Sequence, residues 1–197
     1  MDGPPLQLPI FPLGSVLFPG GLLPLRIFEP RYVAMTRACI RERAPFGVAL
    51  IRAGYEVGRP AIPCELGCTA RIVEWSADGP ERYTLLAQGE TVFRLLRRET
   101  RPDGLIVGEV DLRQPPDPVP LPARYEPLAA LLLRLLDQGG AAQRGPRRIE
   151  DAAWVGYRLA ELLPVPPEHK QRLLETAEPL AVLGEIEGLL QRMRPQD

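Results

Sequence analysis

Side chains that could carry out acid–base, nucleophilic or phosphate chemistry are few in this sequence. The only histidine, His169, lies in PPEHKQ at the start of a short polar helix, where a solvated residue is expected rather than a catalytic base. Ser15 and Ser76 lie outside any GxSxG setting, and there is no GxxxxGK[ST] phosphate loop. The sequence therefore predicts no catalytic residue and no ATP hydrolysis of the phosphate-loop type.

The pair Cys64-x3-Cys68 is the nearest approach to a metal-binding motif. With a single histidine in the chain, this pair lacks the partners for a four-ligand zinc site. We therefore expect Cys64 in a loop, Cys68 packed in a strand, and neither a metal nor another cofactor. Together with Cys39 these are an odd and sparse set of cysteines, which fits a reducing compartment better than a disulfide framework.

Two arginine clusters raise the question of nucleic-acid binding. One comprises Arg97, Arg98 and Arg101, and the other comprises Arg144, Arg147 and Arg148. Acidic residues lie among both clusters, and the net charge of the chain is −1, so no general attraction for phosphates is expected. We interpret both clusters as solvated surface and do not expect nucleic acid as a partner.

The apolar opening stretch LPIFPLGSVLFPGGLLPLRIFEPRY, residues 8–32, resembles neither a signal peptide nor a membrane span. Asp2 precedes it where a signal peptide is positively charged, and prolines interrupt any apolar helix. No other helical apolar run reaches the roughly 20 residues that a bilayer needs. The pattern predicts a cytoplasmic protein without membrane contact.

The elements that must position these residues change character near residue 114. Residues 1–113 hold short apolar segments separated by turn signals, which predicts mainly antiparallel strands, and the segment PRYVAMTRACIRER predicts one helix among them. Residues 114–127 are rich in proline and predict an extended connector. Residues 128–197 show helical periodicity, which predicts a helical subdomain.

Four helices are predicted in that last part. The first presents a leucine face from Leu128 to Leu136 and ends at Gln138-Gly139-Gly140; the second runs from about Glu150 to Leu163. A short third helix follows Pro166-Pro167. The fourth begins at Pro179, with its apolar face predicted from the spacing of Leu180, Leu183, Ile186, Leu190 and Met193.

Several segments, in order along the chain, resemble a known family. They are LPIFPLGSVLFPGGLLPLRIFEPRYVAM, FGVALI with GYEVG, LGCTARI, the DG…RYTLLAQG…FRLL segment, and YRLAELLPVPPEHKQRLLE at 157–175. This order resembles the N-terminal substrate-recognition domain of Lon proteases, a family that also occurs as a stand-alone protein in many bacteria. The resemblance covers about residues 6–194.

This resemblance implies an α+β fold, in which a distorted PUA-like β-barrel is followed by a helical bundle. In such a barrel the opening stretch would form two strands and their turns. Ile10-Phe11 and Val16-Leu17 would supply core side chains, and the prolines would lie where no ladder donor is needed. The IFEPRY motif would serve mainly to fix the fold.

The implied function is that of a non-catalytic, ATP-independent binding module for exposed or unfolded polypeptide segments. A full Lon protease continues into an ATPase module and a Ser-Lys peptidase, and neither is found in this sequence. A proteolytic machine is a further candidate partner. Binding of nucleic acid through the barrel, or of a small ligand in an aromatic pocket that includes Trp75 or Trp154, are the alternatives.

The candidate polypeptide-binding residues are Phe28, Glu29, Arg31 and Tyr32. They lie in a part of the chain with more large side chains than one small barrel end requires. These side chains are Phe11, Phe18, Phe28, Tyr32 and Phe46. Some of them are therefore expected to line a groove.

Overall fold

The structure is a computed structural model, and it describes residues 6–58, 61–138 and 147–193. The chain divides into two compact units, residues 1–115 and residues 116–197. Among these residues, the first unit contains six strands and one helix, and the second contains four helices and a short 3-10 turn. This arrangement confirms the predicted α+β class.

The strands of the first unit form one sheet that closes on itself. They are β1 (Leu6–Leu13), β2 (Leu22–Ile27), β3 (Phe46–Ala53), β4 (Ile62–Ala77), β5 (Tyr83–Thr100) and β6 (Ile106–Leu112). The sheet order is β2-β5-β4-β3-β1-β6, and β5 also pairs with β6. Five strands therefore form a closed ring, and β2 extends it outside β5. All pairs are antiparallel except β1 with β3.

The long strand β5 makes this closure possible. Its first part, from Tyr83, lies between β2 and β4, and its last part, to Thr100, pairs with β6. In the sequence, QGE at residues 88–90 separates the apolar segments YTLLA and VFRLL, which predicts a turn between two strands; that prediction is wrong. Gly89 lies inside the strand. A glycine is required there because a Cβ would lie 2.3 Å from the backbone oxygen of Phe18.

The barrel interior holds two clusters of buried apolar side chains. The larger includes Phe11, Phe46 and Leu85 together with side chains of helix α1 (Pro30–Glu42). The smaller is centred on Ile10 and Phe93. Gly67 lies against this second centre, since a Cβ there would approach the Phe93 ring at 2.6 Å and the Val48 backbone oxygen at 2.3 Å.

The opening stretch behaves as expected in part. It forms β1 and β2, and Pro9, Pro12 and Pro24 lie within these strands. Val16 and Leu17 fall in the loop between the strands rather than in either of them, although Leu17 is buried. The loop ends with Gly20 at φ 78°, a conformation that glycine adopts without strain.

The helices of the second unit follow the predicted order. They are α2 (Glu126–Gln138), α3 (Ala152–Leu162), α4 (Pro167–Glu175) and α5 (Pro179–Met193). A 3-10 turn at Ala123–Tyr125 and a bridge between Pro120 and Asp151 make the end of the proline-rich segment part of this unit. The predicted end of the first helix at Gly139-Gly140 lies outside the described residues.

Capping and packing explain two details of these helices. Asp151 is the N-cap of α3, because its carboxylate accepts hydrogen bonds from the backbone N–H groups of Ala153 and Trp154. The buried face of α5 is formed by Pro179, Val182, Leu183 and Ile186. The predicted face is thus wrong at both ends, where Leu180 and Met193 are exposed.

Candidate functional site

The N-terminus of α1 is fixed by a largely buried ion pair between Glu29 and Arg31. Arg31 Nη2 lies 2.9 Å from Glu29 Oε2, and Arg31 Nη1 donates to the carbonyl oxygen of Gly104 at 3.3 Å. Glu29 is the N-cap residue, yet its carboxylate accepts no cap hydrogen bond from the helix and turns to Arg31 instead. The pair therefore ties the start of α1 to the β5–β6 turn.

Tyr32, the next residue, packs into the barrel core. Its ring meets the Phe11 ring edge-on at a centroid distance of 4.2 Å, and the Arg31 guanidinium lies 4.7 Å from the Tyr32 centroid. Burial, more than any charge, raises the pKa of the Tyr32 hydroxyl above its ordinary value. Arg31 and Tyr32 are both buried, so neither side chain presents a surface to a ligand.

The five large side chains that were predicted to be in surplus differ in burial. Phe11, Phe18, Tyr32 and Phe46 are buried, whereas Phe28 is 56% exposed. The surplus argument is therefore wrong for four of the five, because the barrel and α1 together need that much aromatic volume. Of the candidate binding residues, Phe28 lies on the surface, Glu29 is partly covered, and Arg31 and Tyr32 belong to the core.

A second exposed aromatic residue, Trp75, lies near the end of the long β4–β5 hairpin and was not among the predicted contact residues. Trp75 is 53% exposed, and its ring contacts the half-buried Tyr83 ring at a centroid distance of 6.2 Å. Arg37 of α1 supports the hairpin by donating to the Tyr83 hydroxyl and to the Pro80 carbonyl oxygen. The hairpin end is therefore held against α1.

Phe28 lies at the same end of the sheet as this hairpin. Phe28 directly follows Ile27, which is paired with Tyr83 across β2 and β5. Val73, which precedes Trp75 on β4, is also exposed, at 46%. We refer to Phe28, Val73, Trp75 and Tyr83 as the aromatic rim.

The backbone beside Trp75 has an open hydrogen-bonding edge. Pairing of β4 with β3 ends at Ala70, while pairing of β4 with β5 continues to Ala77. Within the part of the chain that the structure describes, no strand pairs with residues 72–77 on the edge that faces away from β5. Such an edge can accept an additional extended strand.

The residues considered for other chemistry are dispersed. Cys64 lies in β4 rather than in the predicted loop, and Cys68 is buried in the same strand. Cys39 is buried in α1, and burial raises the pKa of its thiol to about 11. His169 lies in α4, partly covered. Among the described residues no three metal-ligating side chains converge, and no described helix is long and apolar enough to cross a membrane.

The sequence signal for Trp75 was weak. The segment CTARIVEW, residues 68–75, predicts a strand by its alternating pattern. The exposure of Trp75 in that strand depends on where the neighbouring strand β3 stops pairing, which the segment itself does not specify. The end of β3 pairing at Ala70 is a tertiary feature. Phe28 was found because the IFEPRY motif contains it.

Comparison with known proteins places the whole chain in one family. The sequence pattern of the ATP-dependent protease La (LON) substrate-binding domain matches residues 7–192. The chain is 30% identical to a Lon protease of Anaeromyxobacter dehalogenans, over 96% of this chain and 24% of that protein. It is 31% identical to Lon protease 2 of Myxococcus xanthus, again over 96% and 24%. The chain thus spans about a quarter of the length of these relatives.

Solved structures give the same result. The crystal structure of a Lon N-terminal domain protein from Xanthomonas campestris superimposes with a TM-score of 0.78 at 35% identity, covering 96% of this chain and 99% of that one. The N-terminal domain of a Lon protease from the Mycobacterium avium complex shares the fold, with a TM-score of 0.63 at 15% identity over 92% and 96%. The chain belongs to the family of Lon substrate-binding domains.

Proposed function

We propose that this chain is a substrate-recognition module that binds exposed apolar segments of unfolded polypeptides. The observation that carries the proposal is the aromatic rim, where exposed Trp75 lies on a strand with an open edge and exposed Phe28 follows β2, on the other side of β5. Membership of the substrate-binding family supports the same function. The original set of contact residues is revised to Phe28, with Glu29, Arg31 and Tyr32 holding it in place.

The mode of binding follows from the two kinds of contact at this surface. An extended segment pairs with the open edge of β4 at residues 72–77 through backbone hydrogen bonds, which do not depend on sequence. Trp75 covers apolar side chains of that segment, and Phe28 offers a second apolar contact to the client on the other side of β5. Because backbone contacts and flat aromatic surfaces do not select one sequence, the module accepts many clients and binds each loosely.

The module acts without catalysis of its own. The sequence contains no phosphate loop, and the chain matches only the substrate-binding part of the Lon proteases. We propose that it binds clients in the cytoplasm without ATP and that a proteolytic machine is the partner that receives them. A purified chain that hydrolyses ATP or casein, with an activity that elutes with it from a sizing column, contradicts this part of the proposal.

The test of the binding surface is the double variant Phe28→Ala/Trp75→Ala. The ligand is a permanently unfolded protein with alkylated cysteines, labelled for fluorescence anisotropy. Loss of two exposed aromatic anchors should weaken binding by about tenfold or more. Because both side chains are more than half exposed, the melting temperature should stay close to that of the parent.

The matched control is Tyr55→Ala/Leu112→Ala, which removes two exposed apolar side chains outside the aromatic rim. The control should bind like the parent. Equal loss in both variants would mean unspecific apolar adhesion, and unchanged binding in the folded rim variant would exclude the rim. If structured RNA binds the parent more tightly than the unfolded protein at physiological salt, polypeptide recognition is the wrong function.

A further inference from the structure

A second candidate site lies at the other end of β5, where this strand separates from β4. Pairing between the two strands stops at Leu66 and Arg94, after which β5 follows β6. The divergence leaves an open pocket of about 210 Å³. It is lined by Arg52, Pro63, Glu65, Leu95, Leu96, Arg97 and Arg98.

The charge of this pocket is unbalanced. Three arginines and one glutamate line it, and no ion pair joins Arg52, Arg97 or Arg98 to an acidic side chain within the described residues. Glu109 lies opposite Arg97 in the β5–β6 ladder without forming an ion pair. Three unpaired guanidinium groups in one concave site form a receptor for carboxylates or other planar anions.

Arg52 comes from β3 and the other two arginines from β5, so no local pattern in the sequence indicates that they meet. Arg97 and Arg98 had been interpreted as solvated surface following a strand. They lie inside β5, just after a break in the ladder between Leu95 and Arg97. This bulge leaves Leu96 unpaired and 49% exposed in the pocket.

The backbone of the pocket is also open. From Leu95 to Thr100, β5 pairs with β6 on one edge, and in the ranges that the structure covers no strand pairs with the other edge. A ligand with its own backbone N–H and C=O groups can therefore extend the sheet here while its side chains reach the arginines.

We propose that this pocket binds an extended acidic segment of a polypeptide that carries carboxylates on both faces and also contains small apolar residues. The carboxylates pair with Arg52, Arg97 and Arg98, the apolar residues contact Leu96 and Pro63, and the backbone adds to β5. A polypeptide fits better than a nucleic acid because the apolar lining and open strand edge offer nothing to a sugar–phosphate backbone. This site goes beyond the proposed function, since it does not use the aromatic rim.

The experiment measures the affinity of a fluorescein-labelled peptide of glutamate pairs separated by single valines for the intact chain. The triple variant Arg52→Gln/Arg97→Gln/Arg98→Gln should bind it about tenfold more weakly, from three partly exposed ion pairs. The control Arg134→Gln/Arg148→Gln/Arg192→Gln removes the same charge from exposed positions elsewhere and should bind like the parent. A peptide methylated at alternate backbone nitrogens should also bind more weakly, because it cannot donate to the strand edge.

Four results would overturn the proposal. Two concern the variants: an equal loss of affinity for the acidic peptide in both triple variants, or no loss of that affinity in the pocket variant. The other two are equal affinity of the parent for a lysine–valine peptide, and tighter binding of single-stranded DNA than of the acidic peptide. Undiminished binding of the methylated peptide would overturn the strand-addition part. The Phe28→Ala/Trp75→Ala variant should retain acidic-peptide binding, which separates failure of this site from failure of the aromatic rim.

Discussion

Phe28 and Arg31 belong to one short motif, but Arg31 is buried and stabilises the fold, whereas Phe28 is exposed to solvent. Arg31 is 5% exposed and is held by Glu29, the Gly104 carbonyl and the Tyr32 ring. Phe28 is 56% exposed. The difference arises because the chain passes from strand to helix at Glu29, and the helix turns residues 31 and 32 into the core while residue 28 stays outside. A motif that identifies a family can thus be mostly structural and still place one residue where a ligand can reach it.

The comparison is sharpest for two phenylalanines. Phe46 is fully buried beside Phe11, and Phe46→Ala should lower the free energy of unfolding by about 3 to 5 kcal/mol, through lost apolar burial and the cavity left behind. Phe28→Ala should change it by about 0.5 kcal/mol or less. Urea unfolding of both variants measures the difference. Similar losses in the two variants would show that Phe28 is a core residue.

The buried ion pair gives the next largest expected effect. Arg31→Met should cost about 2 to 3 kcal/mol of stability, since it leaves the Glu29 carboxylate without its cation and the Gly104 carbonyl without a donor. The exposed pair of Arg41 with Glu42 is the control, and Arg41→Met should cost about 0.5 kcal/mol or less. The double variant Glu29→Gln/Arg31→Met should recover part of the loss, and failure to do so would mean that Arg31 acts by packing alone.

A smaller effect is expected from Cys39, which lies on the buried side of α1. The pKa of its thiol is raised from 9.0 to about 11 in the folded state. The contribution of the thiol to the free energy of unfolding is therefore complete below pH 9, and it is lost as the pH rises towards 11, because the unfolded chain ionises first. Between pH 9 and pH 10 the parent should lose about 1 kcal/mol more than Cys39→Ala does. Parallel pH profiles for the two proteins would show that the thiol is accessible in the folded state.

Local patterns in the sequence predicted most of the framework. The helix after Pro30, the strand from Phe46 and the helices after residue 126 all follow from spacing and from proline or turn signals. The prediction at residues 88–90 was wrong because glycine signals a turn and a close backbone approach equally well. Only the contact of Gly89 with Phe18, a partner distant in sequence, decides between them.

The candidate site could be predicted only in part, for the same physical reason. Phe28 was found through its motif, but the exposure of Trp75 depends on where β3 stops pairing with β4, and the arginine pocket depends on where β5 leaves β4. Both are properties of strand register. Register depends on which faces of the paired strands are buried together, and the pattern of one strand alone does not specify where its partner stops.

The position of β1 in the ring has a consequence for synthesis on the ribosome. This strand is made before the other five described strands, yet it lies between β3 and β6, and β6 ends only at Leu112. At about 5 to 20 residues per second, β1 waits several seconds for its second neighbour. During that time the apolar residues and open edge of β1 are accessible to chaperones. The nascent chain thus exposes an extended apolar segment, which is the kind of ligand that the folded module is proposed to bind.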